Sequence, residues 1–382
     1  MSRPAILIFV DWYRPGFKGG GPVRSMVNMV DRLGDRADFH IVTADTDYAS
    51  DTPYPGITPD RWTELPTGEK VWYASRAGRN RAAWKRLLRE RDWSVVYING
   101  MFSFWYSIMP LWLLSGTKQR RIVAPRGMLL PGPMSQGALK KQVYLSLARS
   151  LTLFNGVEFH ATSADEVHSV RQLLDRGARV HEVGNLARRP TLQAPPMRPK
   201  RAGSAALINV VRIATEKNIH LIIEAMAGVH GEISLDLYGP VYHTAYWEQC
   251  QQAIARLPSG ATVRYHGAVP SEQVPGLFAG PCHALCMPNE GDNFGHTMLE
   301  ALSAGLPLLI SERTPWRQLR QRHAGWDLPL EHGATPFTAA MQELVDMDQH
   351  AYDTIVAGAF AIGDAYLNDP APVEGTARML GV

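Results

Sequence analysis

Short apolar runs alternate with stretches of helical period along most of the chain. "AILIFV" (5–10) predicts a buried strand. "GGGPVRSMVNMVDRL" follows as a glycine loop and a helix, with Pro22 at its start and Val23, Met26, Val27, Val30 and Leu33 on one face. "DFHIVTAD" predicts a second strand, and "WSVVYING" (93–100) and "RRIVAPRG" (120–127) two more, each ending at a loop. "EFHATSADEVHSVRQLL" predicts a strand and then a helix capped at Thr162 or Ser163, with Glu166 in a capping-box position. Strands alternating with helices imply a parallel sheet covered on both faces.

The pattern breaks at "RRPTLQAPPMRPKRAGS" (188–204), where four prolines and five basic residues predict an interdomain linker. The alternation then restarts. "ALINVVRI", "ISLDLYGP", "TVRYHGAV", "HALCMP" and "PLLIS" predict strands; "KNIHLIIEAMAGV", "YWEQCQQAIARL", "SEQVPGLFAG" and "HTMLEALSAG" predict helices, Gly305 stopping the last. The expected fold is α/β, with two doubly wound, Rossmann-like domains facing across a cleft. The first spans 1–187 and the second 205–365, with 366–382 as a closing segment packed back on the first domain. Ligands of such sheets bind at the C-terminal strand ends.

Composition is that of a globular protein, 45% hydrophobic and 20% charged. The longest apolar stretch, "MFSFWYSIMPLWLL" (101–114), falls short of the roughly 18 residues needed to span a bilayer. Cys250, Cys282 and Cys286 cannot all pair; "CHALC" reads as a buried strand, and a reducing cytoplasm fits best. Charge is uneven. Residues 1–187 hold 25 Lys and Arg against 17 Asp and Glu, although the whole chain is only +3, and 101–150 contains seven basic residues and no acid. That stretch, with Trp105, Tyr106, Trp112 and the Lys140–Lys141 pair, suits an anionic surface. No motif of a nucleic-acid-binding protein accompanies it.

The densest chemistry lies in "PNEGDNFGHTMLEALSAGLPLLIS" (288–311). Asp292 and Asn293 precede a predicted helix whose first amides can hold an anion, and Glu300 lies inside it. Glu290 reads as a loop charge outside the pattern. The string Pro288-x3-Asp292-x-Phe294-Gly295-x4-Glu300-Ala301-x3-Gly305-x-Pro307 resembles the donor-site signature of family 4 glycosyltransferases, of the retaining GT-B type. The resemblance maps Asp292 and Glu300 onto that family's carboxylates, Asp292 standing where Glu is usual and being one methylene shorter. "INVVRIATEKNIHLIIEA" is similar to the family's strand–loop–helix carrying Arg212 and Lys217, two cations that can stabilise a diphosphate leaving group.

What the resemblance implies goes further. Catalytic roles fall on Asp292, Arg212 and Lys217. Donor contacts fall on these and on Gly20 in the Gly19-Gly20-Gly21 loop, Gly239, Val269, Asn293, Phe294, Gly295, His296, Thr297 and Glu300. In the first domain, "YINGMFSFWYS", "APRGML" and "HATSADE" resemble acceptor-side loops of a branch that builds bacterial surface polysaccharides. They point to Asn99, where many relatives carry His, and to Arg126 and His160. The implied reaction moves a sugar, with retention, from a nucleotide sugar (UDP- or GDP-linked) to a hydroxyl of a glycan or lipid-diphosphate-linked acceptor, without metal or other cofactor. The implied location is cytoplasmic, peripheral at the inner membrane face. The alternatives are an epimerase-like enzyme on the same architecture and a non-catalytic sugar-binding relative.

Overall fold

The alternating pattern folds into two parallel sheets. The computed structural model describes residues 3–130, 132, 134, 138–189 and 194–382. Contacts divide the chain into Met1–Arg188 with Pro370–Val382 (unit 1) and Arg189–Asp369 (unit 2).

Unit 1 contains β1 (Ala5–Phe9), β2 (Asp38–Ala44), β3 (Trp62–Glu64), β4 (Lys70–Ala74), β5 (Val95–Asn99), β6 (Arg121–Ala124), β7 (Val157–Ala161) and β8 (Arg179–Glu182), in the order β3-β4-β2-β1-β5-β6-β7-β8. Only β3 runs antiparallel to its neighbour. Burial on both faces explains the unbroken apolar runs: Leu7 and Phe9 enter one core while Ile6 and Ile8 enter the other. The helix Gly21–Leu33 buries Val23, Met26, Val30 and Leu33, with Pro22 in its first turn.

Unit 2 contains β9 (Ser204–Val210), β10 (Glu232–Tyr238), β11 (Ala261–Tyr265), β12 (Ala284–Met287), β13 (Leu308–Ser311) and β14 (Gly325–Leu328), in the order β11-β10-β9-β12-β13-β14, all parallel. Apart from the flanking β3 and β8, both sheets share one winding plan. The direction of winding reverses between β1 and β5 in unit 1 and between β9 and β12 in unit 2. Loops at such a reversal diverge and leave a crevice at the strand ends.

Two features go beyond the sequence reading. The second half of the proline-rich stretch predicted as an interdomain linker is packed on unit 2; residues 190–193 lie outside the described residues. Arg198 is 2% exposed and donates to the carbonyls of Phe278 (2.6 Å) and Ala304 (2.8 Å), while Lys200 Nζ donates to those of Val345 (3.2 Å) and Met347 (2.8 Å). Proline leaves few amides to satisfy there, so long basic side chains supply the hydrogen bonds that anchor the segment to unit 2. The capping box forms by half. Ser163 Oγ accepts the Glu166 N–H (3.3 Å), but the fully buried Glu166 carboxylate turns onto Thr162 N (2.7 Å), Thr162 Oγ1 (2.9 Å) and the Gly127 amide. A buried carboxylate needs several donors at once, and the β6 loop provides one.

Candidate functional site

In unit 2 the loop after β9 carries Arg212, the turn Thr215–Lys217 and Asn218, whose φ of 52° turns the chain into the helix Ile219–Ala227. The loop after β12 carries Pro288 to Gly295 and leads into the helix His296–Ser303. Because β9 and β12 are neighbours, the loops run side by side and are laced together. The Glu290 N–H donates to the Glu216 carbonyl (2.9 Å). Asn218 Nδ2 donates to the Pro288 carbonyl (2.8 Å) and to Glu290 Oε1 (3.2 Å), and Arg313 pairs with Glu290 as well. Lys217 Nζ lies 3.6 Å from Asp292 Oδ2. Glu290, read from sequence as a loop charge, is a tie between the loops.

Asp292 is turned onto its own loop. Its Oδ1 accepts the Gly295 N–H (2.9 Å), and its Oδ2 receives Asn289 Nδ2 (3.3 Å) and faces Lys217. Gly295 has φ 75°, and a Cβ there would stand 2.8 Å from Met298 Sδ, so the turn into the helix requires glycine. Trp316 Nε1 holds the Phe294 carbonyl (2.8 Å), and the Phe294 ring lies 4.7 Å from that of His296. His296 and Thr297 occupy the first turn of that helix. Glu300 follows one turn on.

Arg212 pairs with Glu216 (Nη2–Oε1 2.9 Å) and lies 5.6 Å from the Tyr242 ring. Gly239, after β10, has φ 145°, and a Cβ would fall 1.7 Å from the Val211 carbonyl oxygen, so its backbone presses directly on the residue before Arg212. The Gly239 N–H donates to the Gly267 carbonyl (2.7 Å), two residues before Val269. The structure thus brings Arg212, Lys217, Gly239 and the run Asp292–Thr297 to one switch point. Val269 joins them only through Gly267.

The remaining expected residues belong to unit 1. Gly20 (φ 70°) caps the helix Gly21–Leu33, and its loop is fastened by Asp47 Oδ2, which accepts the Phe17 (3.1 Å) and Lys18 (3.2 Å) amides. Asn99, Arg126 and His160 converge at the ends of β5, β6 and β7. Arg126, at φ 54°, donates to Asn99 Oδ1 (2.8 Å), Tyr97 Oη (2.8 Å) and Asn185 Oδ1. Tyr97 Oη is 2.7 Å from His160 Nδ1, and His160 Nε2 is 2.9 Å from the Val183 carbonyl. The carbonyl requires a proton on Nε2, so Nδ1 accepts from Tyr97. Burial, reinforced by Arg126, pushes the His160 pKa down to about 3, and burial pushes Tyr97 up to about 12. Both rings therefore stay neutral. Both His160 nitrogens are engaged, the residue is 2% exposed, and it connects to Arg126 through Tyr97.

Tyr97, Asn185, Asp47, Glu216 and Asn218 support these residues and escaped sequence reading, and Glu166 was read only as a helix cap. Of the five, only Asn218 carried a signal, as an Asn between a short turn and an apolar helical run. Among the described residues no group of His, Cys, Asp or Glu is arranged to hold a metal ion. No described helix is long and apolar enough to cross a membrane.

Residues 195–324 match the sequence profile of a family described as glycosyl transferases group 1. No curated protein sequence matches the chain. Among solved structures, sucrose-phosphate synthase from Thermosynechococcus elongatus superposes with a TM-score of 0.74 at 15% identity, covering 99% of this chain and 98% of that one. HepE from Anabaena, solved with UDP and glucose, gives 0.71 at 16% identity, covering 99% and 100%. WaaG, a glycosyltransferase involved in lipopolysaccharide biosynthesis, gives 0.66 at 14%, covering 99% and 100%. The fold of this chain is GT-B.

Proposed function

We propose that this chain, a glycosyltransferase of GT-B fold with a group 1 domain in unit 2, moves a hexosyl unit with retention from a nucleoside-diphosphate sugar to a hydroxyl of a bacterial surface glycan or its lipid-linked precursor. The observation that carries the reading is the Lys217–Asp292 pair, set between two laced loops at the unit 2 switch point and beside a helix N-terminus. In this reading the bond from the anomeric carbon to the diphosphate breaks, and its electron pair goes to the diphosphate oxygen. Arg212, Lys217 and the first-turn amides at His296 and Thr297 stabilise that charge. The acceptor oxygen bonds the anomeric carbon, and its proton passes to the departing diphosphate. Glu300 accepts hydroxyls of the ribose. These groups supply the positive charge without a metal ion or other cofactor. HepE structures hold UDP, with glucose or as UDP-glucose, which makes uridine the first base to test.

The test is transfer from UDP- and GDP-hexoses to a panel of glycosides, in EDTA, with donor-alone controls. Expected is acceptor-dependent release of nucleotide with the anomeric configuration kept. Donor converted without acceptor, or product of inverted configuration, overturns the reading.

The reading also places the enzyme on the inner face of an anionic membrane. In the helix Ala138–Ser150 and the residue after it, Leu139, Val143, Leu147 and Leu151 follow one another at helical spacing and are 75%, 50%, 56% and 69% exposed. Lys140, Lys141 and Arg149 flank them, in a stretch without acids. Such a face lies at a lipid interface, held by apolar burial and anionic headgroups. Sedimentation with phosphatidylglycerol vesicles is expected to be salt-sensitive. Val143→Glu with Leu147→Glu is expected to lower binding more than about tenfold, since burying each such side chain is worth about 1.5–3 kcal/mol. Equal binding by the variant rules this face out.

A further inference from the structure

The stretch between β13 and β14 sends one side chain back to the candidate site. Ser311 ends β13 and Gly325 opens β14. Asp327 of β14 accepts the Gln318 (2.9 Å) and Leu319 (2.9 Å) amides through its two carboxylate oxygens. That fastening fixes the crossover just after Trp316. The Trp316 residue is 9% exposed, and its Nε1–H donates to the Phe294 carbonyl at 2.8 Å, twenty-two positions away. Its ring also meets Tyr366 (centroids 5.7 Å) and Phe294 (6.1 Å), and Tyr366 meets Phe294 (5.4 Å).

The peptide that receives this bond is held from both sides. Asp292 Oδ1 accepts the N–H of the Phe294–Gly295 peptide (2.9 Å), and Trp316 holds its carbonyl. Gly295 is left-handed, at φ 75°, and directly precedes the helix His296–Ser303. Glycine takes either sign of φ at little cost, so the residue alone does not choose the plane of that peptide. The two hydrogen bonds choose it. A Cβ at Gly295 would stand 3.2 Å from Trp316 Nε1, so the indole also closes the space over the turn. Without the indole N–H the buried carbonyl loses its partner. The cheapest repair is rotation of the peptide toward another donor, and the start of the helix turns with it.

We propose that Trp316 is a positioning residue for the donor diphosphate. It acts through the Phe294–Gly295 peptide, which it fixes, and so aims the first helical turn at His296 and Thr297. The proposal rests on the function given above, in which that turn receives the diphosphate. On that reading the phosphates, not the base, meet the turn. Trp316 therefore governs affinity for a nucleoside diphosphate and not for the nucleoside.

The test uses the full chain and NMR titrations with UDP and uridine, and with GDP and guanosine. Trp316→Phe keeps an aromatic ring against Phe294 and Tyr366. It is expected to weaken the diphosphate about tenfold, the worth of one hydrogen bond, with nucleoside binding unchanged. Tyr366→Leu removes a ring from the same cluster and spares the hydrogen bond. It is expected to lower the melting temperature and leave the ratio of the two affinities as in the wild type. Trp316→Met fills space and donates nothing, and replaces Trp316→Phe if that variant does not fold. A Trp316→Phe variant that binds the diphosphate as wild type, that loses nucleoside affinity equally, or whose ratio Tyr366→Leu reproduces overturns the proposal. If the wild type binds neither diphosphate, the donor reading fails, and hydrogen exchange over 292–299 decides the positioning role alone. Faster exchange there in Trp316→Phe than in Tyr366→Leu supports it, and equal exchange overturns it.

Discussion

Lys217→Met is expected to lower kcat by about 10²–10³-fold, because removing one preorganised donor from a site of developing charge costs about 2.7–4 kcal/mol. The reason lies in how the two cations are held. Lys217 has only 14% of its side chain exposed and is aimed by Asp292 across the loop boundary. Arg212 is 43% exposed and braced by Glu216 within its own loop. A confined ammonium cannot be replaced by a neighbour or by water, so Arg212→Met should cost less than Lys217→Met. Methionine keeps most of the apolar stem, so the change removes charge more than packing. Initial rates over a donor range, with a melting curve to confirm folding, decide it. A folded Lys217→Met variant with kcat within threefold of wild type contradicts the assigned diphosphate site.

Gly239→Ala is expected to destabilise unit 2 by at least about 1–3 kcal/mol and to weaken donor binding in parallel. At φ 145° an alanine Cβ would lie 1.7 Å from the Val211 carbonyl oxygen and 2.5 Å from its carbon. Neither atom is the end of a flexible side chain; both belong to the backbone that sets Arg212. Strain at such a φ costs about 1–3 kcal/mol, and the loop must also yield its 2.7 Å bond to Gly267. For a unit of this size the melting temperature should fall by about 2–4 °C per kcal/mol. Thermal denaturation with and without UDP measures both effects. Wild-type melting would show that the loop can move freely.

Much of this was legible in the residues. Strands buried on both faces write continuous apolar runs, so β1, β5, β9 and β12 stand out, and with them the switch points. The motif from Pro288 to Pro307 carried its own register, since Gly295 and Gly305 are required by backbone geometry. The stretch 45–92 was not legible. β3 and β4 mix Trp62, Trp72 and Lys70 with Glu64 on a sheet edge, where neither period nor burial is clean. The buried ends of Arg198 and Lys200 were hidden because composition marks prolines and cations as solvated. Tyr97 was hidden because a polar residue inside an apolar run shows its partners only after folding, and the bond from the Gly127 amide to Glu166 was hidden because its cap position shows only local partners. Asp292 shows the limit most sharply: the spacing placed it and its bond from the Gly295 amide is local, but its orientation toward Lys217 is a contact across seventy-five positions.

That orientation has a bearing on what the site admits. The two cations that the proposed function gives to a diphosphate already hold partners, Glu216 on Arg212 and Asp292 on Lys217. An incoming anion must therefore evict rather than merely arrive. A lone phosphate, able to displace one carboxylate at a time, gains little over the pair it breaks, whereas a linked diphosphate can displace both in a single binding event. On the proposed function, the Asp292–Lys217 pair therefore favours a linked diphosphate over a lone phosphate.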